Sequence, residues 1–346
     1  MITEKQLLEE LETCKKPLFF FHDDSDGVCS FLLLYRKVNE GKGVVVKASD
    51  GVNESFIHKV EEYQPDKLFI LDLAVVAPEF IKGVKTPIIW IDHHPMSGIP
   101  AGVKFYNPRV RDKNKNIPVT KICYDIVQQD LWIAGVGVIG DWVFIPEIMK
   151  ELKEKYPELL GSGIKTPEEA LFNSKFGELA KIFTFVLKGK TSDVNKCINI
   201  LTRLSSPEEV LGQKTSQGKF IHKYYEKISK PYAELLKRAL SHVTEEKLAV
   251  FSYTTDVSFT SGIANEVMYR HPDKVILVAR EKSGWMRCSL RTPAKIDATK
   301  LLSLSLVNVD GKGGGHEHSC GVSVRKEQWE TFIQNIKDNL KLAEFS

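Results

Sequence analysis

Residues 88–95 read IIWIDHHP, a short apolar run that ends abruptly in Asp92, His93 and His94. A continuous run of apolar and β-branched residues bounded by turn signals is typical of a strand in a parallel sheet that is covered on both faces. Carboxylate and imidazole groups are common metal ligands. Three side chains able to bind a metal ion therefore follow directly on a predicted buried strand.

Two other stretches have the same pattern. Residues 19–27 read FFFHDDSDG and residues 68–73 read LFILDL. In parallel sheets, ligands collect at the carboxyl ends of the strands, where side chains from neighbouring strands meet. A single aspartate after a strand is most often a turn former or a helix cap. Three strand ends with carboxylates, two of them with histidine, indicate a shared site instead.

The first hundred residues alternate between predicted strands and helices. The strands are expected at 18–21, 44–47, 67–73 and 86–91, with helices at 26–39, 54–63 and 78–82 between them. Such alternation implies right-handed crossovers and an α/β fold with a doubly wound, mainly parallel sheet. A second, smaller α/β unit is predicted near the end of the chain, with a hairpin that turns at 281–284.

Three parts are predicted along the chain: a first domain at 1–190, a helical connecting arm at 191–240 and a smaller domain at 241–346. Residues 97–118 are predicted to form a loop. Residues 131–142, LWIAGVGVIGDW, are apolar and rich in glycine, so we expect them to lie deep in the first domain. A buried carboxylate without a partner is costly, so Asp141 should be paired, hydrogen-bonded or bound to metal. The other interpretation is a cap for the turn before Pro146.

The composition is that of a soluble globular protein. The 346 residues include 48 basic and 45 acidic side chains, a net charge of +3 that does not by itself indicate nucleic acid. No apolar run is long enough to span a membrane, and the charged, amphipathic N-terminus does not resemble a signal peptide. The six cysteines are scattered without a C-x-x-C pair. We therefore expect a cytoplasmic protein with free thiols and no membrane partner.

The candidate ligands are carboxylates and imidazoles without thiolates. They are His22, Asp24, Asp26, Asp72, Asp92, His93, His94 and Asp141. Structural zinc sites favour cysteine and calcium favours oxygen ligands alone, whereas this mixture suits Mn²⁺ or Mg²⁺ and is large enough for two ions. Two ions roughly 3.5–4 Å apart stabilise the attacking and leaving oxygens of a phosphoryl displacement. The sequence therefore predicts hydrolysis of a phosphate ester.

Glycines and arginines predict phosphate binding in the second domain. Three consecutive glycines, followed by histidine, allow backbone amides to form an anion nest; these residues are Gly313, Gly314, Gly315 and His316. Three arginines on the hairpin are candidates for phosphate contacts through two hydrogen bonds each; these are Arg280, Arg287 and Arg291. Taken singly, the glycine run could equally be a flexible loop and the arginines could be solvated.

These motifs resemble the DHH phosphoesterase family, in the branch with a DHHA1 C-terminal domain that includes RecJ-like nucleases, nanoRNases and pAp phosphatases. HDDSDG at 22–27 is similar to the first family motif, the strand end at Asp72 to the second, residues 92–94 to the third and Gly140-Asp141 to the fourth. GGGH at 313–316 resembles the DHHA1 signature, and residues 289–291 resemble its phosphate-contacting strand. The resemblance covers nearly the whole chain.

The resemblance implies roles for the candidate residues. It implies two bound metal ions, with Mn²⁺ as the expected metal and Mg²⁺ as the alternative. The first would be held by His22, Asp24 and Asp72, and the second by Asp26, Asp72, His93 and Asp141, so that Asp72 bridges the two. His94 would lie beside the scissile phosphate, and Asp92 would orient the neighbouring imidazoles. The glycines, arginines and His316 of the DHHA1 domain would bind the substrate.

The implied function is that of an exonuclease. It would act on single-stranded DNA or RNA, release 5′-mononucleotides and serve DNA repair, as the short archaeal RecJ-like nucleases suggest. Contact with a replisome component or a repair helicase stays open. One alternative is a nanoRNase or pAp phosphatase that acts on very short oligonucleotides or small phosphorylated nucleotides. Another is a non-catalytic scaffold that binds single strands, although the intact metal motifs argue against it.

Overall fold

The protein, seen here as a computed structural model, is described at residues 2–47, 51–96, 98 and 101–344. The chain divides into two compact units, Met1–Glu226 and Lys227–Ser346. The boundary falls inside a 26-residue helix, Ser216–Ser241. The division at 190 and 240, with a separate connecting arm, stays a prediction. Among the described helices, none is both long and apolar enough to cross a membrane.

Unit 1 is built on a five-stranded sheet. Its strands are β1 (Pro17–His22), β2 (Lys42–Val46), β3 (Lys67–Leu71), β4 (Ile88–Ile91) and β5 (Lys104–Tyr106). Every neighbouring pair is parallel, and the order is β2-β1-β3-β4-β5. This is a doubly wound order whose direction reverses between β1 and β3. The predicted α/β fold with a parallel sheet is confirmed.

Strand β5 corrects the prediction of a loop at 97–118. Three residues, Lys104–Tyr106, pair with β4 inside that segment, and a 3-10 turn at Pro108–Val110 follows. Phe105 is buried, with its ring 5.0 Å from that of Trp90 between centroids. A single buried residue in so short a strand gives no periodic pattern to read. Residues 97, 99 and 100 of the predicted loop lie outside the described part of the chain.

Thirteen helices are described from the N-terminus to the unit boundary. They are α1 (Glu4–Glu12), α2 (Ser25–Val38), α3 (Ile57–Tyr63), α4 (Pro78–Gly83), α5 (Val119–Val127), α6 (Leu131–Gly140), α7 (Pro146–Lys155), α8 (Pro157–Leu160), α9 (Pro167–Asn173), α10 (Lys175–Val186), α11 (Thr191–Leu201), α12 (Pro207–Leu211) and α13 (Ser216–Ser241). Several of them begin with proline, at the first helical position, where the missing N–H costs nothing.

Both faces of the first sheet are covered, which explains the continuous apolar runs. On one face Phe21 of β1 stacks on Phe31 of α2, with ring centroids 4.8 Å apart. On the other face Phe20 packs with Phe56 and Phe80, next to helices α3 and α4. A strand buried on both faces has no polar alternation, so β1, β3 and β4 read as apolar throughout.

Helix α6 is buried along nearly its whole length, as expected for residues 131–142. Its glycines allow close packing. A Cβ at Gly137 would lie 2.2 Å from Oγ1 of Thr120 in α5, and one at Gly140 would lie 1.9 Å from Oγ of Ser25 in α2. These approaches bring the end of α6, and with it Asp141, close to the start of α2.

Unit 2 contains a mixed sheet and three further helices. Its strands are β6 (Leu248–Tyr253), β7 (Val275–Lys282), β8 (Trp285–Arg291), β9 (Gly311–His316) and β10 (Ser319–Arg325), and its helices are α14 (Thr260–Arg270), α15 (Ala298–Ser305) and α16 (Trp329–Glu344). The order is β6-β7-β8-β10-β9, with β6 and β7 parallel and the other pairs antiparallel. The hairpin predicted at 281–284 joins β7 to β8.

The glycine run does not form the predicted anion nest. A nest needs alternating right- and left-handed backbone conformations, whereas Gly311–His316 is an extended edge strand that pairs with β10 along its length. Glycine permits either conformation, and the ladder with β10 selects the extended one. Opposite residues in a ladder share a face, so Gly313 is on the face of buried Val322, where a Cβ would meet Leu302 of α15.

Replacing Gly137 with alanine should lower the free energy of unfolding by about 1–3 kcal/mol, the usual cost of forcing extra volume into a packed core. Chemical denaturation followed by circular dichroism measures the change. Gly163→Ala is the matched control, because a Cβ there meets no atom within 4 Å. Its stability should stay within about 0.5 kcal/mol of the wild type. Equal unfolding midpoints for both variants would contradict the close packing of α6.

Candidate metal centre

The centre begins where β1 and β3 end, at the reversal point of the sheet. His22 closes β1, and Asp72 follows β3 directly. Nδ1 of His22 lies 3.2 Å from Oδ2 of Asp72 and 2.7 Å from Oδ2 of Asp24. Asp24 also caps α2, because its Oδ1 accepts the backbone N–H of Gly27 at 3.0 Å. The first two strand ends therefore bring an imidazole and two carboxylates together.

Asp72 has an unusual backbone conformation. Its φ of 56° lies in the left-handed region, which few residues other than glycine adopt, although aspartate does so more readily than most. The backbone N–H of Asp72 donates to the carbonyl of Ile91 at 3.0 Å, so the turn is held against the end of β4. The side chain is only 2% exposed. Such strain is common at functional sites.

Strand β4 supplies the two histidines. Nε2 of His93 lies 3.4 Å from Oδ1 of Asp72. Nδ1 of His94 lies 2.8 Å from Oδ1 of Asp92, and the backbone N–H of His94 donates to Oδ2 of the same carboxylate at 3.1 Å. Asp92 thus binds His94 through both of its oxygens. Asp72 is the residue on which the three strand ends converge.

Asp26 and Asp141 complete the centre from helices. Asp26 is 1% exposed, and its two oxygens accept the backbone N–H groups of Val119 at 2.9 Å and Thr120 at 2.7 Å, in the first turn of α5. A helix N-terminus favours negative charge, so α5 stabilises the Asp26 carboxylate. Asp141 caps the C-terminus of α6 and places Oδ2 3.9 Å from Nδ1 of His93.

The side chains fall into three overlapping groups, in each of which one ligand atom per residue lies within 4.8 Å of the others. The groups are Asp72, His93 and His94; His22, Asp24 and Asp72; and Asp26, His93 and Asp141. All six predicted metal ligands and His94 are therefore brought together, and Asp92 joins them through His94. Asp72 and His93 each belong to two groups. Two ions that share ligands would need this kind of overlap.

The buried carboxylates repel one another. Burial, and then the charge of Asp72, raise the pKa of Asp26 to about 7. Burial raises the pKa of Asp141 well above its usual range, and Asp26 and Asp72 add to this rise against the attraction of His93. Burial is the larger cause of both shifts, and the contributions of the neighbouring carboxylates show that negative charge is crowded at the centre. A bound cation would relieve this repulsion.

The histidines show the same excess of negative charge. Burial alone would lower the pKa of His22, but the charge of Asp24 and hydrogen bonds to Asp24 and Asp72 raise it well above its usual value. The pKa of His93 is raised likewise, because Asp141 and Asp72 outweigh its burial. In the part of the chain that the structure describes, Oδ1 of Asp72 and Oδ2 of Asp141 are buried and accept no hydrogen bond. Buried oxygens of this kind fit a metal ion.

Three residues that support the histidines were missed by the sequence analysis. They lie in the segment predicted as a loop, at Asn107, Arg109 and Asn116. Nδ2 of Asn107 donates to the carbonyl of His94 at 3.0 Å, and Nε of Arg109 donates to the carbonyl of His93 at 2.7 Å. The Asn107-Pro108 pair marks a turn, but nothing in the sequence says which strand end the turn meets.

Two family models match the sequence. The model described as DHH family, N-terminal domain, matches residues 18–164, and the DHHA1 domain model matches residues 245–342. Together they cover more than half of the chain. The chain belongs to the DHH/DHHA1 family. No curated protein matches the sequence.

Solved structures share the fold of this DHH/DHHA1 protein. RecJ from Thermus thermophilus in complex with Mn²⁺ has a TM-score of 0.70 at 15% identity, over 97% of this chain and 54% of that chain. Exonuclease RecJ bound to manganese has a TM-score of 0.60 at 16% identity, over 97% and 93% of the two chains. The pGpG-specific phosphodiesterase PggH from Vibrio cholerae has a TM-score of 0.50 at 12% identity, over 95% and 100%.

Family and fold together support a phosphoesterase, a hydrolase of phosphate esters. The two RecJ structures hold manganese, and the DHH/DHHA1 protein has carboxylate and histidine groups able to bind such an ion. The chain spans 54% of the Thermus RecJ chain, about half its length.

Replacing Asp72 with asparagine should abolish most Mn²⁺ binding, because Asp72 is shared by two of the three ligand groups. Titration with Mn²⁺, followed by the electron paramagnetic resonance signal of the free ion, measures the affinity. Asp125→Asn is the matched control, since this exposed carboxylate of α5 pairs only with Lys121 among the described residues. It should bind Mn²⁺ like the wild type. Unchanged affinity in Asp72→Asn would rule out Asp72 as a shared ligand.

Proposed function

We propose that the protein is a two-metal phosphodiesterase that removes 5′-mononucleotides from the end of single-stranded DNA or RNA. The observation that carries the proposal is the overlap of the ligand groups at buried Asp72. Mn²⁺ suits the mixture of imidazole and carboxylate, and Mg²⁺ is the other candidate. A role in DNA repair, a cytoplasmic location and contact with a replisome component or repair helicase remain predictions.

Each residue of the centre has a proposed task. His22, Asp24 and Asp72 would hold one ion, and Asp26, Asp72, His93 and Asp141 the other. When bound, such a pair lowers the pKa of water and stabilises both oxygens of an in-line displacement. The carboxylate of Asp92 keeps a proton on Nδ1 of His94, so Nε2 of His94 is the nitrogen left to bond a phosphate oxygen.

Unit 2 offers a surface that suits phosphates. Side chains alternate between the two faces of a sheet, and directly opposite residues share a face. The ladder therefore puts Gly314 of β9 on the same face as Gly321 of β10 and Ser289 of β8. A Cβ at Gly314 or Gly321 would meet no atom within 4 Å. We call this open strip, floored by Gly314 and Gly321, the glycine trough.

Cationic and polar side chains flank the glycine trough. Lys312 and Arg287 lie in the ladder row on one side, and His316 and Arg291 in the row on the other. At about 3.3 Å per residue, the two rows are roughly 13 Å apart. A sugar-phosphate backbone fits such a width, and the missing side chains of the floor would let it approach the sheet. Gly313 and Gly315 fall on the opposite face.

The three hairpin arginines differ in the hydrogen bonds that their guanidinium groups already form within unit 2. Arg280 is 6% exposed, and its Nη1 donates to the carbonyl of Asp256 at 2.8 Å. Nε of Arg291 donates to Oδ1 of Asn265 at 2.6 Å. The guanidinium of Arg287 forms no hydrogen bond or ion pair within the described residues. Arg287 is therefore the arginine that we expect to contact phosphate first, with Arg291 and Arg280 holding the surface in shape.

A second candidate is cleavage of very short oligonucleotides or small phosphorylated nucleotides. The observation that favours it is likeness of fold to a pGpG-specific phosphodiesterase, which acts on a dinucleotide and is covered over its whole chain. The closeness of the proposed ligands argues against the non-catalytic scaffold.

Digestion of end-labelled single strands decides between the two candidates. DNA and RNA of two to about thirty nucleotides, labelled at each end in turn, would be incubated with Mn²⁺ and separated on gels. The proposed exonuclease should shorten long strands stepwise and release mononucleotides, as two-metal cleavage at a strand end requires. Cleavage confined to the shortest strands would establish the second candidate. No cleavage of any strand with Mn²⁺ or Mg²⁺ would refute the exonuclease and would leave small phosphorylated nucleotides as the substrates to test for the second candidate.

Filling the glycine trough should weaken substrate binding without harming the fold. Gly314→Val places a side chain in open space and is expected to raise KM for an oligonucleotide by about tenfold or more, a loss of roughly 1.4 kcal/mol. Turnover of bis(p-nitrophenyl) phosphate should be unchanged, because so small an ester does not need the trough. Gly163→Val, at an open position of unit 1, is the control. Equal losses on both substrates would contradict the role of the trough.

A further inference from the structure

The imidazole of His93 is oriented by an asparagine outside the predicted motifs. Nδ1 of His93 lies 3.1 Å from Oδ1 of Asn116. His93 is buried, 2% exposed, whereas Asn116 lies on the surface of unit 1. This contact joins the His93 ring, at the candidate metal centre, to the exposed side chain of Asn116.

Arg109 fixes which atom of Asn116 faces the ring. Nη2 of Arg109 also lies 3.1 Å from Oδ1 of Asn116. A guanidinium group can only donate hydrogen bonds, so the atom of Asn116 that it meets must be the amide oxygen. The same oxygen cannot donate to His93. The proton between Asn116 and His93 therefore lies on Nδ1 of His93.

This assignment determines the metal-facing nitrogen. With a proton on Nδ1, the lone pair of a neutral imidazole is on Nε2. Nε2 of His93 lies 3.4 Å from Oδ1 of Asp72, the buried oxygen that accepts no hydrogen bond within the described residues. Nε2 thus points to the shared carboxylate, at the place where a cation would bind both groups.

Arg109 also ties the segment down at other points. Its Nε donates to the backbone carbonyl of His93 at 2.7 Å, and its Nη1 donates to the carbonyl of Lys113 at 2.6 Å. One guanidinium therefore holds the backbone of His93, the turn before Asn116 and the amide of Asn116. The position of the acceptor relative to the ring is set by three hydrogen bonds of a single side chain.

We propose that Asn116, held by Arg109, is a positioning residue that keeps the proton of His93 on Nδ1 and presents Nε2 to the metal. It acts through His93 and touches neither metal nor substrate. The inference rests on the proposed function only in that His93 is a metal ligand. It adds a determinant of metal affinity in a segment that the family motifs do not include.

The test uses three variants and Mn²⁺ as the probe. Asn116→Leu keeps the size of the side chain but removes the acceptor, and should weaken Mn²⁺ binding about 10–100-fold, the usual cost of losing such a partner. Asn116→Asp keeps an acceptor oxygen and should stay within about threefold of the wild type. Asn114→Leu alters an exposed asparagine of the same segment and should change nothing. Free Mn²⁺ is followed by electron paramagnetic resonance.

Kinetics supply a second readout for any phosphate ester that the enzyme cleaves. Saturating Mn²⁺ should restore kcat in Asn116→Leu, and KM for the substrate should stay unchanged. Wild-type Mn²⁺ affinity in Asn116→Leu, or equal losses in Asn116→Leu and Asn116→Asp, would overturn the proposal. A Mn²⁺ effect of the expected size with no cleavage of nucleic acid would instead support the positioning role and refute the exonuclease.

Discussion

Mutual repulsion of the carboxylates that gather near the carboxyl ends of β1, β3 and β4 is the constraint around which unit 1 is arranged. Asp26 and Asp72 are buried and Asp141 is half-buried beside them, and uncompensated charge is costly in such surroundings. The surrounding elements supply compensation: α5 directs its N-terminal amides at Asp26, and the imidazoles of His22 and His93 lie against Asp72. A bound divalent cation would add to this compensation.

The sequence predicts the parallel sheet and the candidate site of unit 1 well because the same pattern, an apolar strand followed by a polar residue, marks both. A strand covered on both faces must be apolar until it leaves the sheet, so the first polar residue marks the strand end. His22, Asp72 and Asp92 could be recognised in this way, and the ladder places them at adjacent ends. Asp141 stood out for another reason: a carboxylate in an apolar, glycine-rich segment is costly to bury unless it has a partner.

The features that the sequence did not predict depend on contacts between distant segments. Asn116 is an exposed residue among other polar residues, and its role arises only from the path that brings it to His93. The glycine run permits both a nest and a strand, and pairing with β10 decides between them. The register also separates glycines that look equivalent in sequence: Gly314 faces open space, whereas Gly313 faces Val322 and Leu302.

Strand β9 gives unit 2 an edge with almost no side chains to protect it. Natural sheets usually guard an edge with charges, proline or a covering loop, but in Gly311–His316 the only charged side chain flanking the glycines is Lys312, apart from His316 at the end. The lack of side chains that would let a ligand approach β9 also leaves the backbone N–H and C=O groups of this edge able to pair with a strand of another chain. Solubility and ligand access therefore make opposite demands on β9. A side chain added to one of its glycines would improve solubility and hinder access of the ligand.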